Sequence, residues 1–151
     1  MDANLLHISY EGEILEDLKN SPNENMWRIT KSLHNAKKKP NLIKLKFKNG
    51  NLVAVNNINQ SSAKLIDTLN KIAGSHGIGR LDMVESRYVG IKSRGCYETP
   101  GGTVILFAKK IIESVTLDRE VIALREDLMP RYARLVYNGY WFSPERILLQ
   151  T

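Results

Sequence analysis

One polar segment of the sequence combines residue types that bind small polar ligands. Residues 85–102 read Glu-Ser-Arg-Tyr-Val-Gly-Ile-Lys-Ser-Arg-Gly-Cys-Tyr-Glu-Thr-Pro-Gly-Gly, so carboxylates, guanidinium groups, hydroxyls and glycines fall within one stretch. Carboxylates accept charge-assisted hydrogen bonds from cationic groups, whereas serine and tyrosine hydroxyls both donate and accept. A segment of this kind, held by neighbouring elements, can present several polar groups to one ligand.

The end of this segment has two interpretations. Thr99-Pro100 is typical of a helix start, where free N–H groups and the helix dipole favour an anion. The alternative is that Thr99 only caps the helix and that Gly101 and Gly102 only permit close packing. Helix caps are common, so the pattern favours this alternative and leaves the anion site open.

Metal and covalent chemistry have weaker support. His7, His34 and His76 are not at metal-ligand spacing from one another or from Cys96, so we predict no metal site. No glycine-rich phosphate loop of the P-loop kind is present. Cys96 has no histidine in a recognisable partner motif, which favours inert packing over a nucleophilic role.

Length and composition indicate a globular protein with enough residues for one ordinary domain, and two domains are the alternative. The chain has 151 residues, of which 42% are hydrophobic and 25% charged, and its net charge is +6. It contains no apolar run of the roughly 18 residues that a membrane-spanning helix needs. The start resembles no secretory signal, and one cysteine cannot form an internal disulfide, so we predict a cytoplasmic protein without a membrane partner.

The positive charge raises the question of a nucleic-acid partner. Basic residues are spread along the sequence, without zinc-finger spacing or the aromatic-rich strands of single-strand RNA binders. An anionic small molecule would account for the charge equally well. We therefore predict no nucleic-acid partner.

The clearest structural signal is a hairpin over residues 43–55. Apolar residues at 43, 45 and 47 alternate with Lys44, Lys46 and Lys48, and Asn49-Gly50 provides the positive φ angles of a tight turn. The lysines are interpreted as a solvated face that protects the sheet edge, with a binding role as the alternative. Upstream, the composition predicts a strand or bent strand pair over 5–15, a loop over 17–26 and a short strand over 27–30.

Four helices are expected downstream. The first is capped by Ser61 or Ser62, the second begins at Thr99-Pro100, and the fourth follows Ser143-Pro144. The third begins near Asp118, is kinked or interrupted at Pro130, and buries the stripe Val121, Leu124, Leu128, Tyr132 and Leu135. With a β-rich stretch over 78–97, the pattern predicts an α+β fold, a small, mostly antiparallel sheet packed by helices.

Four segments together resemble the argininosuccinate synthases. They are residues 2–11, 77–103, 117–120 and 135–145, the last reading Leu-Val-Tyr-Asn-Gly-Tyr-Trp-Phe-Ser-Pro-Glu. The resemblance covers nearly the whole chain, is very specific from 77 to 145, and is weak from about 17 to 60, where loop length differs among relatives.

The resemblance implies an ATP-dependent carbon–nitrogen ligase of arginine biosynthesis. Members of this family use ATP to adenylylate the ureido oxygen of citrulline, releasing pyrophosphate. The amine of aspartate then displaces AMP to give argininosuccinate. The implied co-substrate is ATP with magnesium, and the implied full-length assembly is a cytoplasmic homotetramer.

Three residues match family positions that bind citrulline. They are Ser9, Glu85 and Tyr97, and no catalytic residue is assigned within the chain. Each also has an ordinary structural explanation. Glu85 could pair with Arg80 or Arg87, Tyr97 could be a half-buried core aromatic, and Ser9 could be an ordinary strand serine.

The departures from the family pattern define what the chain is expected to lack. The Ser-Gly-Gly-x-Asp-Ser type loop that holds pyrophosphate in the family is absent, together with the family's aspartate contacts. We therefore predict that residues 1–151 are a single domain, the core of the catalytic and multimerisation domain truncated at both ends. Such a piece would bind no cofactor and be inactive alone. The alternative is a stand-alone basic module that binds nucleic acid or an anionic metabolite through the lysine-rich hairpin.

Overall fold

The structure, a computed structural model, describes residues 1–151 and confirms the α+β class. The strands are β1 (Asp2–Ala3), β2 (Ile8–Glu11), β3 (Leu45–Lys48), β4 (Asn51–Val55), β5 (Ile58–Asn59), β6 (Arg80–Ser86) and β7 (Lys92–Glu98). The helices are α1 (Ser62–Ser75), α2 (Pro100–Thr116), α3 (Arg119–Tyr137) and α4 (Pro144–Gln150). None of them has the length and apolar character needed to cross a membrane. The chain divides into two compact units, Met1–Lys109 and Lys110–Thr151.

The first unit contains two small antiparallel sheets where one was predicted. The four-stranded sheet has the order β1-β2-β7-β6, and the three-stranded sheet has the order β3-β4-β5. In the larger sheet Ser9 lies opposite Tyr97, Tyr97 lies opposite Leu81, and Glu85 lies opposite Ser93. Because side chains alternate between faces along a strand, this register decides which residues share a face.

The predicted hairpin is confirmed as β3 and β4. Asn49 and Gly50 form its turn with φ angles of 48° and 75°, as a two-residue hairpin turn of the primed type requires. A second turn of the same kind at Asn56-Asn57, with φ angles of 51° and 65°, adds the short strand β5 and was not predicted. The three lysines that alternate with the apolar residues, Lys44, Lys46 and Lys48, are exposed to solvent.

Helix α1 begins as predicted and covers the three-stranded sheet. The side chain of Ser61 accepts a hydrogen bond from the N–H of Lys64, which satisfies one of the free amides of the first turn. Leu65 and Leu69 are fully buried and form a cluster with Val55 of β4. Leu65 and Leu69 therefore lie on the contact surface of this helix.

Two predictions for the amino-terminal residues need correction. The apolar stretch over 5–15 forms a strand only at Ile8–Glu11 and then turns into a 3-10 helix at Glu13–Glu16. The strand predicted over 27–30 is wrong. The N–H groups of Arg28, Ile29 and Thr30 donate to the carboxylate of Glu98 rather than to a neighbouring strand. The loop predicted over 17–26 is confirmed, apart from a 3-10 turn at Glu24–Met26.

In the second unit, α3 differs from its prediction in two ways. It is one continuous helix over Arg119–Tyr137, so Pro130 does not interrupt it. Leu135 is buried, whereas Val121 and Leu124 are 52% and 59% exposed. The seven-residue helix α4 contacts the carboxyl-terminal half of α3, where the Tyr132 hydroxyl donates to Oε1 of Gln150. It therefore leaves the first turns of α3 uncovered.

Candidate ligand-binding face of the four-stranded sheet

Strand pairing brings the three predicted site residues together on one face of the larger sheet. Ser9 and Tyr97 are directly paired, and the hydroxyl of Tyr97 donates to Oε1 of Glu85 at 2.8 Å. The Ser9 residue is only 7% exposed, yet its hydroxyl forms no hydrogen bond within the chain. The face therefore presents a carboxylate, a phenol and an unengaged hydroxyl side by side. The assignment of citrulline to these residues stays a prediction.

The Tyr97 phenol is held in its protonated form. Burial raises the pKa of Tyr97 to about 12, helped by the hydrogen bond to Glu85 and by the negative charges of Glu85 and Glu11. At neutral pH the hydroxyl is consequently a donor, and its proton points at one oxygen of Glu85. The second oxygen of that carboxylate remains available for a cationic group.

Further charged groups lie on the same face, and the sequence analysis did not assign them to it. The guanidinium of Arg87 pairs with the carboxylate of Glu11 and donates to Oγ of Ser93 at 3.1 Å. The ring of His7 lies 6.3 Å from that of Tyr97, measured between centroids. The period of two along each strand predicts these neighbours, since Glu11 follows Ser9 by two residues and Ser93 precedes Tyr97 by four.

The ordinary explanation in which Arg80 neutralises Glu85 does not match the structure. Arg80 lies on the opposite face of β6, where its guanidinium donates to Glu24 at 2.7 Å and to Oγ1 of Thr30 at 2.8 Å. Tyr97 is half-buried, as a core aromatic would be, but its hydroxyl reaches a carboxylate rather than apolar side chains.

The opposite face of the sheet is the core of this region, and a buried carboxylate lies within it. Glu98 is 0% exposed and accepts five hydrogen bonds. Its donors are the Tyr10 hydroxyl, the Thr30 hydroxyl and the backbone N–H groups of Arg28, Ile29 and Thr30. Burial alone would raise the pKa of Glu98, but the hydrogen bonds from Thr30, Tyr10 and Arg28 together hold that pKa below its ordinary value.

Sequence reasoning missed the role of Glu98. Alternation from Tyr97 was the available signal, since it places residue 98 on the face opposite the predicted site. A glutamate on the core face needs several hydrogen-bond donors. No sequence pattern predicted that three consecutive backbone N–H groups would donate to it. Glu98 therefore positions irregular backbone against the sheet rather than contacting a ligand.

The lowered pKa of Glu98 predicts acid sensitivity. In the unfolded chain a glutamate titrates near 4.3, so the stabilisation from the ionised carboxylate is complete above about pH 4.3 and is lost as pH falls through the lower folded value. Urea unfolding between pH 7 and pH 3 is expected to show a steeper loss of unfolding free energy for the natural chain than for Glu98→Gln. Equal steepness in the two proteins would contradict the prediction.

Cys96 is confirmed as a packing residue. It is 0% exposed and lies in a cluster with Ile8, Tyr10 and Leu15. Burial raises the pKa of its thiol to about 11, with a further contribution from the charge of Asp82. A buried thiol of high pKa is a poor nucleophile.

The start of α2 supports close packing as the role of its glycines. The N–H of Gly101 donates to Oδ1 of Asn70 at 2.8 Å, and Nδ2 of Asn70 donates to the carbonyl of Leu5 at 2.8 Å. A Cβ atom on Gly101 would lie 2.7 Å from Asn70 Oδ1. An anion would have to displace Asn70 to reach this N–H group. The structure also holds no group of three or more His, Cys, Asp or Glu side chains arranged to bind a metal ion.

These features define an α+β domain whose open sheet face presents acidic, phenolic and hydroxyl groups. The family model described as the arginosuccinate synthase C-terminal domain matches residues 1–151. The chain therefore belongs to the argininosuccinate synthase family, as the resemblance indicated.

Curated relatives give the same relationship and show its extent. The chain is 59% identical over 150 residues to the argininosuccinate synthase of Pseudomonas fluorescens and 60% identical over 151 residues to that of Saccharophagus degradans. It is 61% identical over 150 residues to that of Nitrosomonas europaea. These matches cover 99–100% of the chain but only 37% of each relative.

Proposed function

We propose that this chain supplies the citrulline-binding part of an ATP-dependent ligase that joins citrulline to aspartate. One observation supports the proposal most directly: Ser9, Glu85 and Tyr97 lie on one open face, with the Tyr97 hydroxyl bonded to Glu85. Family membership supports the choice of reaction, since the curated relatives are named argininosuccinate synthase.

The chemistry of this face suits the free amino acid end of citrulline. The carboxylate of Glu85 would accept a charge-assisted hydrogen bond from the α-ammonium group, which is about twice as strong as a neutral hydrogen bond. Tyr97 would hold the carboxylate in position, and the unengaged hydroxyl of Ser9 would bond a polar group of the ligand. Fixing the substrate in this way can lower the barrier by about 7–11 kcal/mol when the geometry is right.

The remaining steps would be performed by residues outside this chain. ATP, its magnesium ion and aspartate would bind in the regions of the relatives that the chain does not span, since it covers only 37% of their length. The chain alone would therefore not ligate, and the complete enzyme would be a homotetramer.

A chimeric enzyme tests the proposal. Residues 1–151 would replace the matching region of the Pseudomonas fluorescens relative, which is 59% identical. With ATP, citrulline and aspartate, the chimera is expected to release pyrophosphate and form argininosuccinate, whereas the isolated chain is expected to do neither. The unaltered relative provides the positive control.

Each outcome bears on a different part of the proposal. A folded chimera that forms no argininosuccinate would contradict the ligase assignment. Turnover by the isolated 151-residue chain would contradict the proposal that ATP and aspartate bind outside it, because both would then have to bind within the chain.

A further inference from the structure

The hydrogen bond between Tyr97 and Glu85 joins residues that are not opposite each other in the sheet. Tyr97 is paired with Leu81, whereas Glu85 is paired with Ser93. Four residues of strand separate these two pairs, which corresponds to about 13 Å along the strand. Both side chains must therefore run along the sheet surface toward each other to meet at 2.8 Å.

The Tyr97 ring meets this requirement by lying over Gly95. A Cβ atom built on Gly95 would lie 2.7 Å from Oη of Tyr97, 2.8 Å from its Cε2 and 2.9 Å from its Cζ. Real Cβ atoms essentially never show contacts this short, and the atoms concerned belong to a rigid ring. An alanine at position 95 could be accommodated only if the ring moved.

The backbone gives no other reason for a glycine at this position. Gly95 is not among the residues with positive φ, and it pairs regularly with Glu11 and Met83 in neighbouring strands. Any residue can adopt such a strand conformation. What position 95 specifically provides is the absence of a side chain on the site face.

We infer that Gly95 is a positioning residue for the proposed citrulline site, because its missing side chain lets the Tyr97 ring lie flat and reach Glu85. The choice of citrulline as the ligand rests on the proposed function. The position of the Tyr97 ring over Gly95 rests on the structure. With alanine at 95, the ring rotates away from the sheet, gives up its bond to Glu85 and occupies the space above the face. Gly95 acts through the position of the Tyr97 ring and takes no part in the chemistry.

The geometric part can be tested on the 151-residue chain without any enzyme assay. Carbon-13 labelling of tyrosine Cζ atoms allows the Tyr97 phenol to be titrated by NMR, with Tyr97→Phe identifying its signal. The pKa of Tyr97, about 12 in the natural chain, is expected to fall toward 10 in Gly95→Ala as burial and the Glu85 bond are lost. Val84→Ala, at an exposed position on the opposite face of β6, is the matched control and is expected to leave this pKa unchanged.

A double-mutant cycle separates this role from a general packing role. If Gly95 serves only to accommodate the ring, Gly95→Ala lowers the free energy of unfolding of the natural chain. In a Tyr97→Ala background the same substitution leaves that free energy unchanged. Equal destabilisation in both backgrounds would overturn the inference, as would an unchanged titration of Tyr97.

The ligand part is tested in the chimeric enzyme. Gly95→Ala is expected to raise the KM for citrulline about tenfold or more while the KM for ATP changes less than about twofold. A shifted Tyr97 titration with an unchanged citrulline KM would overturn the positioning role in citrulline binding. An inactive parent chimera would instead refute the proposed function, and the titration would still decide the relation between Gly95 and Tyr97.

Discussion

Replacing Glu98 by glutamine is expected to lower the free energy of unfolding by about 3–6 kcal/mol, because two charge-assisted hydrogen bonds of about 1.5–3 kcal/mol each are lost. The carboxylate accepts two donors at Oε2 and three at Oε1. An amide keeps one oxygen and turns its NH₂ group toward the remaining donors, which leaves buried polar groups unpaired. A loss of this size is a large part of the stability of an ordinary domain.

Urea unfolding followed by circular dichroism measures the effect of this substitution. Glu24→Gln is the matched control, since the Glu24 side chain is 61% exposed and contacts the same region through Arg80. Its expected cost is within about 0.5 kcal/mol. If Glu98→Gln does not fold, Tyr10→Phe removes only one of the five donors and keeps the comparison measurable. A Glu98→Gln variant as stable as the Glu24→Gln control would show that the carboxylate does not stabilise the backbone of residues 28–30.

Glu85→Gln is expected to raise the KM for citrulline about 10- to 100-fold in the chimeric enzyme, the range that corresponds to losing one charge-assisted hydrogen bond. The substitution keeps the shape of the side chain and its bond from Tyr97 but removes the negative charge that would meet an α-ammonium group. Glu85 is only half-buried, so the fold is expected to tolerate the change.

Steady-state kinetics with citrulline and ATP varied in turn distinguish this effect from a general loss of activity. The KM for ATP is expected to stay unchanged, and Glu126→Gln on the exposed surface of α3 is the matched control. Tyr97→Phe is expected to produce a smaller increase in the citrulline KM, since it removes the group that orients Glu85 and leaves the charge. An active chimera that is indifferent to Glu85→Gln would leave the family assignment intact and refute the proposed role of this residue.

Features that depend on near neighbours in the chain were predictable from the sequence. The hairpin of β3 and β4 follows from alternation and from the Asn49-Gly50 turn, and the start of α1 follows from the cap at Ser61. These signals act over a few residues, so no knowledge of the rest of the fold is needed to read them. Local propensity gave the wrong prediction where a distant group bonds the backbone. The N–H groups of residues 28–30 bond the carboxylate of Glu98 instead of a neighbouring strand.

Sequence patterns were enough to predict the α+β class and membership of the family whose model matches the chain. The resemblance also named three proposed site residues. Strand pairing was needed to show that Ser9, Glu85 and Tyr97 share a face and that Glu98 lies buried behind it. It was also needed to show that Gly95 leaves room for the Tyr97 ring. Strand register places residues distant in sequence opposite one another, and a shift of one residue would turn each of these side chains to the other face. Local patterns do not encode that register, because it is selected by packing and hydrogen bonding across the whole sheet.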